Sequence, residues 1–411
     1  MPDRIIYADN AATTRLSEAA LAAMTPYLTG QYGNPSSLYS FGQQSRQAVE
    51  RARHTVAEAL GCAPREVFFT SGGSESDNWA LKMGAALMKS RGKTHLISTA
   101  FEHHAVLHTL KQLERDSSPR AADSSPRAAD RFTVTLLPVY ENGVVRPADL
   151  AEAITPQTGL VSVMFANNEI GTIQPIAEIG AICRAAGVLF HTDAVQAAGH
   201  IPIDFKGMQI DLLSLSGHKF HGPKGVGGLL IRNGLRLDNL IAGGAQEGGR
   251  RAGTENVAGV AGMAAALAEA AGTMAADAEK MSRQRDRLIR EIQAAIPRCR
   301  LNGDPVLRLP NNVNMSFEGI EGESLLLRLD YVDKICASTG SACTTNSLVP
   351  SHVLMAIGLP VEVSHGSLRL SLSAETTDEE IDHIIKVLPG HVDWLREKSP
   401  LWENICRNEG I

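Results

Sequence analysis

The chain has 411 residues, a net charge of −6, and 44% hydrophobic against 20% charged residues. This is the balance of an ordinary globular protein, and it excludes a disordered polyelectrolyte, a collagen-like repeat and a small disulfide scaffold. Mild acidity without a basic block argues against nucleic acid as the main partner, and the length calls for two domains or one large domain with an appendage.

In chain order, Glu18 to Tyr27 and Gln43 to Leu60 read as leading helices. From about residue 65 to 235, short apolar runs alternate with helical patterns. The runs at Val67–Phe69, Leu96–Ser98, Phe132–Pro138, Val161–Phe165, Val188–His191, Leu212–Leu215 and Gly228–Ile231 read as strands. Helical stretches such as Ile176–Ala186 lie between them, so the expected arrangement is α/β with crossover connections and a mostly parallel sheet. The segment Asp116–Ala122 is repeated unchanged at Asp123–Ala129. Each copy carries a proline, which disfavours helix, so this tandem duplication reads as an exposed loop. The most apolar stretch, Val257–Ala268, stops at Glu269, short of the roughly 20 residues that span a bilayer, and reads as a buried helix. No membrane partner is expected.

From about residue 275 the pattern changes. A polar-faced helix over Ala275–Ile296 precedes a strand-like Asn312–Phe317, a leucine-rich helix at Ser324–Leu329 and a strand-like Ser367–Ser371. Thr377-Asp378-Glu379-Glu380 has the form of a capped helix start. The reading is a large domain over 16–270 and a smaller α+β domain over 271–411 that includes residues 1–15. Six cysteines, none in a Cys-x-x-Cys pair, offer no zinc spacing, so no metal is expected. The thiol usage and a start that runs directly into Ile5-Ile6-Tyr7 point to the cytoplasm.

Chemistry gathers at the ends of the expected strands, where parallel α/β sheets bind ligands. After Leu212–Leu215 comes Ser216-Gly217-His218-Lys219, a lysine among small residues that is suited to Schiff-base formation. After Val188–His191 comes Asp193, an acid able to pair with a protonated ring nitrogen; taken alone, an Asp at a strand end is usually a helix cap or a metal ligand. Thr70-Ser71-Gly72-Gly73-Ser74 leads into a helix, and glycine amides at a helix start suit a phosphate. Glu75 and Asp77 would repel that phosphate, so both are expected to point away. Glu102-His103-His104 and Asn167-Asn168-Glu169 follow two further strands; an imidazole there can stack on a ring and shuttle protons. A lysine, an acid and a phosphate seat are together what pyridoxal phosphate requires.

The chain resembles the cysteine desulfurases of the NifS/IscS type, pyridoxal-phosphate enzymes of the aminotransferase-like fold (fold type I). The resemblance rests on Tyr7–Thr14, Gly33–Ser37, Thr70–Asn78, Glu102-His103, Asn167–Gly171, Asp193–Gln196, Ser216–Lys219, Arg251–Thr254, Gly340–Cys343 and Leu368–Ser371. It implies that Lys219 holds pyridoxal 5′-phosphate, that His103 stacks on its ring, and that Asp193 pairs with the ring nitrogen. By the same resemblance Gln196 contacts the phenolic oxygen, and Asn168 lies beside cofactor and substrate. Gly73, Ser74, Ser216 and His218 surround the phosphate, Arg369 binds the substrate carboxylate, and Cys343 is the nucleophile. Thr254 is implied to reach the cofactor of the other subunit in a homodimer. Tyr39 and His104 depart from the residues many relatives carry, and neither is given a role.

The resemblance implies the conversion of L-cysteine to L-alanine, with catalytic Lys219, His103 and Cys343, a persulfide on Cys343, and sulfur donation to an acceptor protein such as an iron–sulfur scaffold. A selenocysteine lyase or another aminotransferase-like enzyme is the alternative activity, and a non-catalytic sulfur-scaffold subunit the alternative class. Cys343 sits in a run of small polar residues, Ser338 to Ser347, a setting suited to an accessible thiolate. Arg369, in the alternating Ser367–Ser371, reads either as a surface partner for a carboxylate or as a fork for a substrate's carboxylate.

Overall fold

Seven apolar runs between residues 67 and 231 pair into one sheet, as their spacing predicts. A computed structural model describes residues 5–117, 131–339 and 350–409. The strands are β1 (Ile6–Tyr7), β2 (Val67–Thr70), β3 (His95–Thr99), β4 (Thr133–Leu137), β5 (Thr158–Ser162), β6 (Leu189–Asp193), β7 (Leu212–Ser216), β8 (Gly227–Ile231), β9 (Cys299–Leu301), β10 (Asn312–Phe317), β11 (Ile335–Cys336) and β12 (Ser367–Ser371). The helices are α1 (Glu18–Thr29), α2 (Ser40–Ala59), α3 (Gly73–Lys89), α4 (His104–Asp116), α5 (Pro147–Ala153), α6 (Ile176–Ala186), α7 (Gln246–Gly249), α8 (Val257–Ala295), α9 (Gly322–Asp333), α10 (His352–Ala356), α11 (Val361–His365), α12 (Asp378–Arg396) and α13 (Pro400–Glu409).

The large sheet has the order β2-β8-β7-β6-β5-β3-β4. Strand β8 runs antiparallel to both of its neighbours, and the other pairs are parallel. Every residue of β5, β6, β7 and β8 is buried, which is why these strands read as continuous apolar runs and not as alternations. Three of the polar exceptions are matched to each other. His191 on β6 reaches Ser162 Oγ on β5 (2.9 Å) and Ser214 Oγ on β7 (3.0 Å). Burial pushes this imidazole down to about 3, so it is neutral.

Two expectations are corrected. The fifth strand covers Thr158–Ser162 and not Val161–Phe165. Beyond Ser162 the backbone still donates across to β6, from Val163 to His191 O (3.1 Å) and from Phe165 to Asp193 O (2.8 Å), so the apolar run outlasts the regular strand. The two helical stretches on either side of residue 270 are one helix, α8, of 39 residues. An 18-residue window of it is apolar enough to cross a membrane, yet 44% of that window is buried inside the protein. Val260, Met263, Ala264 and Leu267 join the core beneath the large sheet, while Leu288 and Ile292 join a second core with β10, β12 and α12. A single α-helix can serve two cores because its apolar stripe continues while its neighbours change.

The second core lies under the antiparallel sheet β12-β10-β9 and includes Ile6 and Ala8 from the start of the chain. The short parallel pair β1-β11 ties that start to the segment after α9. The predicted cap of α12 is present: Thr377 Oγ1 accepts from Glu380 N–H (3.2 Å), and Glu380 accepts from Thr377 N–H (3.0 Å). All but the first two residues of the tandem duplication at 116–129, together with Gly340–Cys343, lie outside the described residues.

Candidate active site

In the large sheet, β2, β3, β5, β6 and β7 run in one direction, so their carboxyl ends share an edge. Beyond that edge lies a cavity of about 300 Å³. Gly73 and Ser74, from the β2–α3 turn, line it together with Ser216 and His218 from the end of β7. His103, Asp193 and Gln196 line the middle, and Asn168, Lys219 and Arg369 complete the wall. Ten of the predicted site residues thus meet in one place.

The glycine at the start of α3 is required by close approach: a Cβ on Gly73 would lie 2.6 Å from Val195 Cγ2. The first turn of α3 therefore carries free amides into the cavity, and its N-cap, Gly72, makes no side-chain bond to them. Glu75 is drawn away, as expected. It accepts from Ser71 N–H (2.8 Å) and from Arg251 Nε (2.8 Å). Burial alone would raise this carboxyl, but Arg251 and Ser71 outweigh it and hold it below its ordinary value.

Asp77 also points away from the α3 amides, but into the cavity's other end rather than out of it. It lines the cavity, and its donor atom lies within 4.8 Å of those of His103 and Asp193. Asp77 follows Gly73 by four residues, so the two share a helix face; that spacing was the available signal.

Lys219, just past β7, donates through Nζ to Ala11 O and Ala12 O, 2.7 Å each. Gln196 Nε2 donates to Ala11 O as well (3.0 Å), which leaves its second amide proton for another acceptor. His103 caps α4, with Nδ1 accepting from Ala105 N–H at 3.1 Å, so a neutral ring carries its proton on Nε2. Burial lowers its pKa, opposed by Asp193. Asp193 accepts from Val195 N–H (2.9 Å); burial raises it, while His103 opposes the shift. His218 bonds Thr13 Oγ1 (3.1 Å), and burial with Lys219 nearby pushes it down to about 4.

Arg369 lies on β12, in the second sheet, and is 4% exposed. It donates to Asn168 O (2.9 Å) and Asp9 Oδ1 (2.8 Å), while Nε is buried without a partner. The arginine is therefore buried and not a surface residue, although it does have a carboxylate partner, and it lines the cavity.

Cys343 lies outside the described residues, but the chain on either side is anchored at the cavity. Ser338 N–H donates to Arg369 O (3.1 Å), and Arg369 N–H to Ser338 O (2.7 Å). On the far side, Ser351 Oγ donates to Glu169, and His352 Nε2 to Glu102 O (2.9 Å). Thr254 is exposed and does not line this chain's own cavity. Sequence reasoning assigned nothing to Asp9, Glu102, Glu169 or His352; each acts on a residue distant in the chain, which local pattern does not reveal.

The class-V aminotransferase model matches residues 6–384. The chain belongs to that family, among the cysteine desulfurases of the NifS/IscS type. It is 54% identical over 406 residues to cysteine desulfurase IscS of Clostridium botulinum, covering 98% of each chain. A solved NifS-like protein superposes with a TM-score of 0.86 at 36% identity, covering 95% of this chain and all of that one. A solved structure of SspA in complex with cysteine gives 0.76 at 34%, covering 90% and 100%.

The family's cofactor is pyridoxal 5′-phosphate, and the residues present fit it. Free helix amides stand at one end of the cavity and Lys219 in its wall. At the other end Asp193 is buried with its carboxylate beside the cavity, where a protonated ring nitrogen would supply a matching cation.

Proposed function

We propose that this protein converts L-cysteine to L-alanine and holds the released sulfur as a persulfide on Cys343. The observation that supports this most directly is the convergence of Lys219, His103, Asp193 and Arg369 on one cavity in a chain so similar to IscS. When bound, pyridoxal phosphate supplies an electron sink for a carbanion at the substrate Cα. Lys219 would hold it through Nζ, with Asp193 at its ring nitrogen and the α3 amides, Ser74, Ser216 and His218 around its phosphate. Gln196 would donate to its phenolic oxygen, and Thr254 of a second copy would complete the phosphate contacts.

Arg369 binds the substrate carboxylate, with Asn168 beside it, and so orients Cα toward Lys219. Nζ takes the Cα proton, and His103, neutral and protonated on Nε2, assists the transfer. The Cys343 thiolate then attacks the substrate sulfur. The new S–S bond forms as the Cβ–S bond breaks, and the bonding pair stays with carbon, which is later protonated to give alanine. Cysteine and one enzyme thiol thus become alanine and one enzyme persulfide, with no outside oxidant.

The reading extends to a cytoplasmic homodimer with a large domain over 16–270, a small domain over 271–411 with 1–15, and an acceptor protein for the sulfur, an iron–sulfur scaffold in the first instance. The test is single-turnover alanine formation alongside persulfide labelling. One alanine per persulfide on Cys343 is expected; free sulfide with no labelled Cys343 would overturn the assignment in favour of a plain lyase. A monomer by light scattering at full cofactor occupancy would exclude the shared site.

A further inference from the structure

Asp77 is buried on every side. Facing it are Asp193 and His191 from β6, Ser214 from β7, and Glu102 and His103 from the turn after β3. His191 Nε2 stands 3.6 Å from Asp77 Oδ1 but is neutral, one ring nitrogen donating to a serine and the other accepting from one. Glu102 is pushed up to about 8 by burial and is neutral as well. The charged groups left to balance Asp193 are Lys219 and a protonated ring nitrogen. Two carboxyls within 4.8 Å of each other, out of water and facing one ring cation, do not both ionise.

We infer that Asp77 is a reserve counter-charge for the cofactor site: it stays neutral beside an ionised Asp193, and it takes over the single negative charge when Asp193 is lost. This rests on the proposed cofactor reading. Asp193 is the ionised member because its carboxylate accepts the Val195 N–H and lies beside Lys219, whereas Asp77 has the Ser214 hydroxyl facing it but no cation, and its Oδ1 has no hydrogen-bond partner. Asp77 acts through Asp193. A neutral neighbour leaves the full charge on the carboxyl that meets the ring, and a second negative charge there would bind the phenolic end's proton more tightly.

The test uses four holoenzymes: wild type, Asp77→Asn, Asp193→Asn and the double variant. Two readouts serve: the pH midpoint of the visible absorption band of the Lys219-linked cofactor, and the cofactor retained on dialysis. Asp77→Asn is expected to leave both nearly unchanged, because a neutral group replaces a neutral group. Asp193→Asn is expected to move the midpoint by about one pH unit or more and to weaken retention about tenfold. The double variant should lose about a further tenfold, so that Asp77→Asn is silent in the wild type and damaging when combined with Asp193→Asn.

An Asp77→Asn shift as large as that of Asp193→Asn would overturn the inference, since Asp77 would then be ionised in the wild type. A double variant no worse than Asp193→Asn would overturn the takeover. If Asp193→Asn moved neither readout, the ring-nitrogen assignment would fail and the inference with it. Should the double variant not fold, the single Asp193→Asn protein decides: acidification should strip its cofactor more steeply than that of the wild type, and a parallel profile would overturn the inference.

Discussion

The floor of the cavity and its roof are built differently. The floor is five strand ends of one sheet. Asp193 ends β6, and Gly73, His103 and Lys219 come within four residues of the ends of β2, β3 and β7, so pairing the strands brings the residues together. The roof comes from remote pieces: Ala11 and Ala12 beside β1, Ser338 after β11, and Arg369 on β12, joined by side-chain and bridge contacts between different sheets. The floor follows from local order and one sheet, whereas the roof depends on the two cores meeting. Perturbing the floor should therefore stop the chemistry, and perturbing the roof should change binding more than the chemical step.

The largest effect should come from Lys219→Ala. Alanine formation should fall by about 10⁴-fold or more, with loss of the Lys219-linked visible band and little change in melting temperature. Turnover near the wild-type rate would remove Lys219 from the floor's chemistry. Cys343→Ala should lower alanine formation by about 10³-fold and abolish persulfide labelling, while cysteine still changes the visible spectrum, because binding and proton movement need only the floor and Arg369.

Arg369→Gln tests the roof. Losing a charged hydrogen-bonding partner costs about 1.5–3 kcal/mol, so KM for cysteine should rise about 10- to 100-fold. A larger fall in kcat than rise in KM would mean that the arginine works on the chemical step. Part of any effect belongs to Asp9, which loses its partner at the same time; Asp9→Asn measured alongside separates the two.

The smallest effect concerns stability. Burial lifts Glu102 from an ordinary 4.5 to about 8, so it is protonated in the folded protein and ionised in the unfolded chain between those values. Its contribution is complete below about pH 4.5 and is lost as pH rises to about 8. Glu102→Gln should flatten that decline, raising the melting temperature most near pH 8, since the amide oxygen can still accept from Met164 N–H and Thr99. An unchanged pH slope in the variant would place the titration elsewhere.

The strands, the crossover helices and the cavity-lining residues at the strand ends are legible because period and turn chemistry are local. Ile176–Ala186, Asn312–Phe317 and Ser367–Ser371 have the bounds their patterns predicted. What local pattern missed was joined across distance. The two halves of α8 looked unrelated because the buried face changes partner part-way along, and composition follows the partner. Asp77 reads only as a charge to be kept from the phosphate, and local pattern does not say where it goes instead. Only the approach of β6 to α3 sets it beside Asp193 in a dry site, where a carboxyl can be neutral. The sequence by itself determined which residues end each strand and hence the chemistry on offer. The tertiary structure decided which of those groups share one low-dielectric space, and so which of them carry charge.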